Sequence, residues 1–152
     1  MTGSGYALIR TIETVTNPDG RRVSKSEAQY HDKTGLIFSV REFGLVTTLG
    51  GKTEFSLKSN ETYNPSGSGI KIAAYQLTYN DAGVASGYVN KWFDQKGRLC
   101  REIGYTAFLR GGVVYTQRSY IKTFHPNGQV AMSITRRTGV IRFGRDGRPI
   151  SR

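Results

Sequence analysis

The chain has 152 residues with 22 Lys/Arg against 11 Asp/Glu, a net charge of +11, 37% apolar residues, 19 glycines, four prolines and one cysteine. That length fits one domain, so residues 1–152 are taken as a single unit, and a compact fold of this size buries roughly 68–70% of its unfolded surface. No stretch reaches the ~18 apolar residues of a membrane helix, and the start "MTGSGYALIRTIETV" carries no secretory signal, so no membrane partner is expected. A lone Cys100 forms no internal disulfide, which fits a reducing, cytoplasmic location.

Along the chain, one turn recurs. "TNPDGRRV" (16–23) is followed by "YHDKTGLI" (30–37), "TLGGKT" (48–53), "YNPSGSGI" (63–70) and "YNDAGVAS" (79–86). "FDQKGRLC" (93–100), "LRGGVV" (109–114), "FHPNGQVA" (124–131) and "FGRDGRPI" (143–150) continue the series. The common form is an aromatic or Thr, a polar residue, two variable positions and Gly. Pro presets the backbone early in such a turn, Asn or Asp bonds its own backbone, and Gly accepts the positive φ that other residues resist. Taking Gly20, Gly35, Gly50, Gly67, Gly83, Gly97, Gly111, Gly128 and Gly147, successive spacings are 15, 15, 17, 16, 14, 14, 17 and 19. The segments between are rich in Val, Ile, Tyr, Phe and Thr, which suit a pleated surface. The best helical candidate, "SKSEAQY" (24–30), is too short to stand alone.

The expectation is therefore an all-β fold: an antiparallel meander of nine or ten strands built from ~15-residue hairpin repeats, as an extended sheet, a sandwich or a barrel. Period-two alternation puts Leu99, Ile103, Tyr105, Ala107 and Leu109 on one side of their strand. It puts Arg118, Tyr120, Lys122 and Phe124 together on one side of the next.

"YNDAGVASGYVNKWFDQKGRLCREIGY" and "TFHPNGQVAMSI" resemble repeats of the MORN-like hairpin-repeat class of antitoxin-type proteins. They are also similar to the extended β-sheet add-on domain of bacterial glycosyltransferases that modify adhesins or teichoic acid. The resemblance covers about residues 63–150. It implies a binding or assembly surface and brings no catalytic residues with it.

The chemistry-bearing residues are few. Two histidines, His31 and His125, share one slot of the repeat and read as polar turn residues; with one cysteine they make no zinc set. Asp19, Asp32, Asp81, Asp94 and Asp146 sit in turns as caps. "GGKT" (50–53) lacks the upstream glycine and the helix of a phosphate loop. No enzyme, no metal and no cofactor is expected.

Charge is the functional clue. Residues 1–76 carry nine Lys/Arg against seven Asp/Glu; residues 77–152 carry thirteen against four. Arginine, whose planar fork bonds phosphate or carboxylate through two donors, makes up ten of those thirteen. The expected interface for an anionic partner comprises Lys91, Trp92, Arg98, Arg101, Arg110, Arg118, Tyr120, Lys122, Arg136, Arg137, Arg142 and Arg145. The partner is expected to be a nucleic acid, a nucleoprotein or an acidic protein surface. The alternatives are an antitoxin-like inhibitor or assembly module acting on a protein partner, and a carbohydrate- or teichoate-binding add-on.

Overall fold

The computed structural model describes residues 8–150. Ten strands run in chain order: β1 (Leu8–Thr16), β2 (Arg22–His31), β3 (Ile37–Thr47), β4 (Thr53–Tyr63), β5 (Lys71–Tyr79), β6 (Ala85–Phe93), β7 (Leu99–Arg110), β8 (Val113–Phe124), β9 (Val130–Thr135) and β10 (Gly139–Arg142). They form one antiparallel sheet in the order β1-β2-β3-β4-β5-β6-β7-β8-β9-β10, an open meander with β1 and β10 at its edges. Among the described residues no helix is long and apolar enough to cross a membrane.

The turns form as their chemistry dictates. In the β5–β6 turn the Gly83 N–H donates to the Asn80 carbonyl at 2.9 Å, and Asn80 Oδ1 accepts from the backbone N–H of Ala82 and of Val84 at 3.0 and 3.1 Å. Gly83 takes a φ of 77°, which a side chain would resist. Asp94 does the same work at the β6–β7 turn for the N–H groups of Lys96 and Arg98, each at 2.9 Å. Two glycines differ from expectation. In "TLGGKT" the left-handed residue is Gly51, not Gly50, and at the β7–β8 turn both Gly111 and Gly112 are left-handed, as a two-residue hairpin loop requires.

Of the three forms expected, the sheet takes the extended one, and a single sheet has no second layer to pack against. The accessible surface is 10191 Å², against roughly 7,700 Å² for a compact protein of 16.9 kDa. Val46 and Ile103, 4% and 5% exposed, are the buried apolar residues among those described. Neither face is a core. Cohesion comes from cross-strand neighbours, such as the row Ile103, Ile121, Ile134 and Val140 across β7 to β10.

Register is the second departure. Eight of the nine strand pairings contain a one-residue slip, and each slip moves everything beyond it to the other face. In β8 the extra residue is Ser119: Gly104 opposes Tyr120, but the next β7 residue, Tyr105, opposes Arg118. Arg118 and Tyr120 therefore lie on opposite faces. In β7 the extra residue is Cys100, so that Leu99 pairs with Phe93 and falls out of phase with Arg101 and Ile103.

Two hairpins project beyond their neighbours at the same end of the sheet. β3–β4 extends past β2, which pairs no further than Gly44, and β7–β8 extends past β6, whose last partner is Thr106. Their tips approach each other: a β-carbon at Gly50 would lie 3.9 Å from Val114 Cγ2. The sheet is thus coiled enough to bring together turns separated by the β5–β6 hairpin.

At Gly104 a β-carbon would overlap the ring of Tyr120, whereas at Gly83 nothing lies within 4 Å. Gly104→Ala is expected to cost about 1–3 kcal/mol by forcing that ring aside. Most of this cost should vanish in a Tyr120→Ala background, while the cost of Gly83→Ala, about 1 kcal/mol from backbone strain alone, stays the same in both. Urea unfolding of the four-member cycle reads the coupling.

Candidate nucleic-acid interface

Cross-strand partners share a face, so the pairings sort every strand residue onto one of two surfaces. The first surface carries the strand arginines except Arg110, which faces Val113 on the other. Arg10 on β1, Arg41 on β3, Arg101 on β7, Arg118 on β8 and Arg142 on β10 all lie there, each exposed. Its strand carboxylate is Glu27, held by Arg10 at 2.8 Å and Lys25 at 3.3 Å. Burial pushes the Glu27 carboxyl up, but the hydrogen bonds and charge of Arg10 and Lys25 outweigh it and hold the group below its ordinary value.

The opposite surface is a mixed-charge sheet of lysines and glutamates. The row Glu61, Ala74, Lys91, Glu102 and Lys122 alternates in sign from β4 to β8. Lys71 pairs with Glu61, Lys91 with Glu102 at 4.0 Å, and Tyr120 donates its hydroxyl to Glu102 at 2.6 Å. Burial and that hydrogen bond to Glu102 push the Tyr120 phenol well up, while the bond to Glu61 raises Lys71. Lys122 lies over the Tyr120 ring at 5.1 Å. A groove of about 590 Å³ runs along this row, lined by both signs of charge.

The expected interface therefore divides. Trp92, Arg101, Arg118 and Arg142 are on the arginine face; Lys91, Tyr120 and Lys122 are on the other, compensated by Glu61 and Glu102. Arg118, Tyr120, Lys122 and Phe124 do not share a side, because the Ser119 bulge intervenes. Arg98 is drawn to Asp94 at 2.8 Å inside its turn. Arg110 closes β7 at the hairpin tip, Arg136 and Arg137 form the β9–β10 turn, and Arg145 lies in the last turn, where its carbonyl accepts from Asn127 at 2.8 Å.

The arginine face brings in residues that charge counting passes over. Tyr75, Tyr88 and Tyr105 form a ladder across β5, β6 and β7, with ring centroids 5.4 and 4.5 Å apart. Arg118 stands opposite Tyr105 and continues the row. Two rows along, Arg101 lies 5.0 Å over the Trp92 ring. Beside them a shallow depression of about 260 Å³ is lined by Asn60, Thr62, Tyr75, Asn90 and Trp92, with the small Ala73 leaving the room. Burial, with Tyr88 and Tyr79 nearby, pushes the Tyr75 phenol up, so it is a hydrogen-bond donor at neutral pH. From β4 to β10 the strand residues of this face hold three arginines, five aromatic rings from β5 onward and no carboxylate. No residue type marks this segregation; the one-residue slip decides which aromatic joins which cation.

The histidines serve the turns. His31 is 2% exposed, stacks edge-on to Phe38 at 5.5 Å, and would crowd a β-carbon at Gly67 at 3.2 Å. His125 Nε2 meets the Phe143 carbonyl at 2.8 Å, tying the β8–β9 turn to the final one. No protein-family model matches the chain, and no curated protein matches it.

The Glu27 cluster gives a pH signature. A carboxyl depressed by folding takes up its proton first in the unfolded chain, so its contribution is complete above pH ~4.5 and is lost as pH falls through the lower folded value. Urea midpoints of the wild type should drop more steeply below that pH than those of Glu27→Gln, which should be less stable at neutral pH and flatter in acid.

Proposed function

We propose that the protein is a non-enzymatic binding module that holds single-stranded nucleic acid along its arginine face. The observation that carries this reading is the carboxylate-free half-face with Arg101, Arg118 and Arg142 beside Tyr75, Tyr88, Tyr105 and Trp92. Guanidinium forks and phenol hydroxyls are donors for phosphate oxygens, and aromatic rings offer base contacts without sequence preference. Both rely on an exposed surface free of competing carboxylates. On the opposite face Lys71 and Lys91 are paired with Glu61 and Glu102, carboxylates that would repel a polyanion.

Binding of this kind is backbone-directed and depends on salt. For about six phosphate contacts, affinity for a short oligothymidylate should fall by ~10³ between 50 and 200 mM salt. Arg101→Glu with Arg118→Glu should abolish binding in fluorescence anisotropy, and Tyr88→Ala should weaken it by about 1–3 kcal/mol. Lys91→Glu with Lys122→Glu, on the other face, should leave at least a large share of it. Equal losses from the two double variants would reject the arginine face as the interface.

A second reading, a protein–protein module, is favoured by one observation. Phe108, Leu109, Val113, Val114 and Tyr115 are all exposed on the projecting β7–β8 hairpin, and exposed apolar patches mark protein contacts. Recovery of one stoichiometric protein from nuclease-treated native lysate, lost on Phe108→Lys, would favour it over nucleic-acid binding.

A further inference from the structure

The sheet's two edges are unlike each other. At the β10 edge, the strand is four residues long and the tail folds back on it: the Ile150 N–H donates to the Arg142 carbonyl at 2.8 Å and Phe143 bridges Pro149. The β1 edge is nine residues long and contains neither proline nor lysine, and its slip comes only at the end, between Val15 and Thr16. Such an edge presents a row of backbone donors and acceptors, blunted among the described residues only by Arg10, Glu13 and that terminal slip. Its side chains add Ile9, Ile12 and Val15, exposed at 53, 49 and 55%.

We infer that β1 pairs antiparallel with β1 of a second copy of this chain, joining two sheets edge to edge about a twofold axis. The axis leaves each face continuous, so facing residues must have the same orientation, and the possible registers differ by steps of two residues. The register centred on Ile12 sets Ile12 against Ile12 of the second copy, Ile9 against Val15, Arg10 against Thr14 and Thr11 against Glu13. All three apolar side chains then find apolar partners, and no like charges meet. Sliding one way sets Ile9 against Glu13 and Arg10 against Ile12; sliding the other way sets Glu13 against Glu13. Only the central register is complementary.

Electrostatics permits it. Residues 8–31 hold four Lys/Arg against three Asp/Glu, so the joining hairpins are nearly neutral. Arg10, the cation on β1, is already engaged by Glu27. The basic strands β7, β8 and β10 lie six to nine strand spacings away along the sheet, roughly 29–43 Å, well beyond a Debye length of about 8 Å at physiological salt. The paired sheet would carry a basic, aromatic-lined end at each extremity.

Sedimentation of the wild-type protein should show a concentration-dependent dimer, and Ile12→Lys, which sets two lysines across the axis, should be monomeric with an unchanged circular dichroism spectrum. In a Cys100→Ser background, Ile12→Cys should cross-link under mild oxidation several-fold faster than Thr11→Cys. A wild type that stays monomeric at high micromolar concentration, or a dimer that survives Ile12→Lys, overturns the inference. Cross-linking of Thr11→Cys as fast as Ile12→Cys overturns the register. None of these readouts involves nucleic acid, so they stand or fall apart from the binding face.

Discussion

Everything in this molecule follows from a constraint on register. Each hairpin is closed by a left-handed glycine, and in every hairpin but β9–β10 the strand leaving the turn then carries one residue too many. In six hairpins the extra residue comes three positions after the last left-handed glycine: Val23 after Gly20, Phe38 after Gly35, Ile72 after Gly69, Ser86 after Gly83, Cys100 after Gly97 and Ala131 after Gly128. The unit that repeats is thus a turn with its bulge. It sets the aromatic at the end of the incoming strand opposite a fixed partner: Tyr79 faces Ala85, Phe93 faces Leu99, and Phe124 faces Val130. The two long hairpins break the rule, bulging at Lys58 and Ser119 in mid-strand, and these two project beyond the sheet.

This constraint matters more here than in a layered protein. In a sandwich or a helix-backed sheet, one face is a core and a slip would bury a charge, so hydrophobic patterning and register correct each other. A single layer has no such arbiter. Both faces are wet, apolar residues appear on both, and the slips alone decide what meets what. Their outcome is a separation of chemistry: the strand arginines other than Arg110 gather on one face with a tyrosine ladder, while glutamates alternate with lysines on the other. A compensated face and an uncompensated one are the consequence, although net charge alone says only that the chain is basic.

The turns were legible because their chemistry is local. Asn80, Asp94 and Gly83 do in the fold what their residue types announce. The strand order was legible too, since short turns leave antiparallel neighbours little choice. The faces were not. Val23, Phe38, Lys58, Ile72, Ser86, Cys100, Ser119 and Ala131 share no side-chain character, and a bulge is a property of backbone pairing that no single residue type marks. Period-two counting therefore ran Arg118 into Tyr120 and Lys122 across a slip at Ser119 and placed them together. The glycine offset would have corrected six of the eight slips; the one at Ser119 follows no turn, and the site depended on it.

The separation of the two faces is tested most directly by methyl NMR of an isoleucine- and valine-labelled sample titrated with oligothymidylate. Ile103, Ile121 and Ile134 lie among the arginines, whereas Val89 and Ile141 lie on the compensated face, Ile141 only one strand from Ile134. The account requires shifts at the first three methyl groups with Val89 and Ile141 unmoved. Shifts concentrated at Val89 and Ile141, with Ile121 and Ile134 silent, would contradict it.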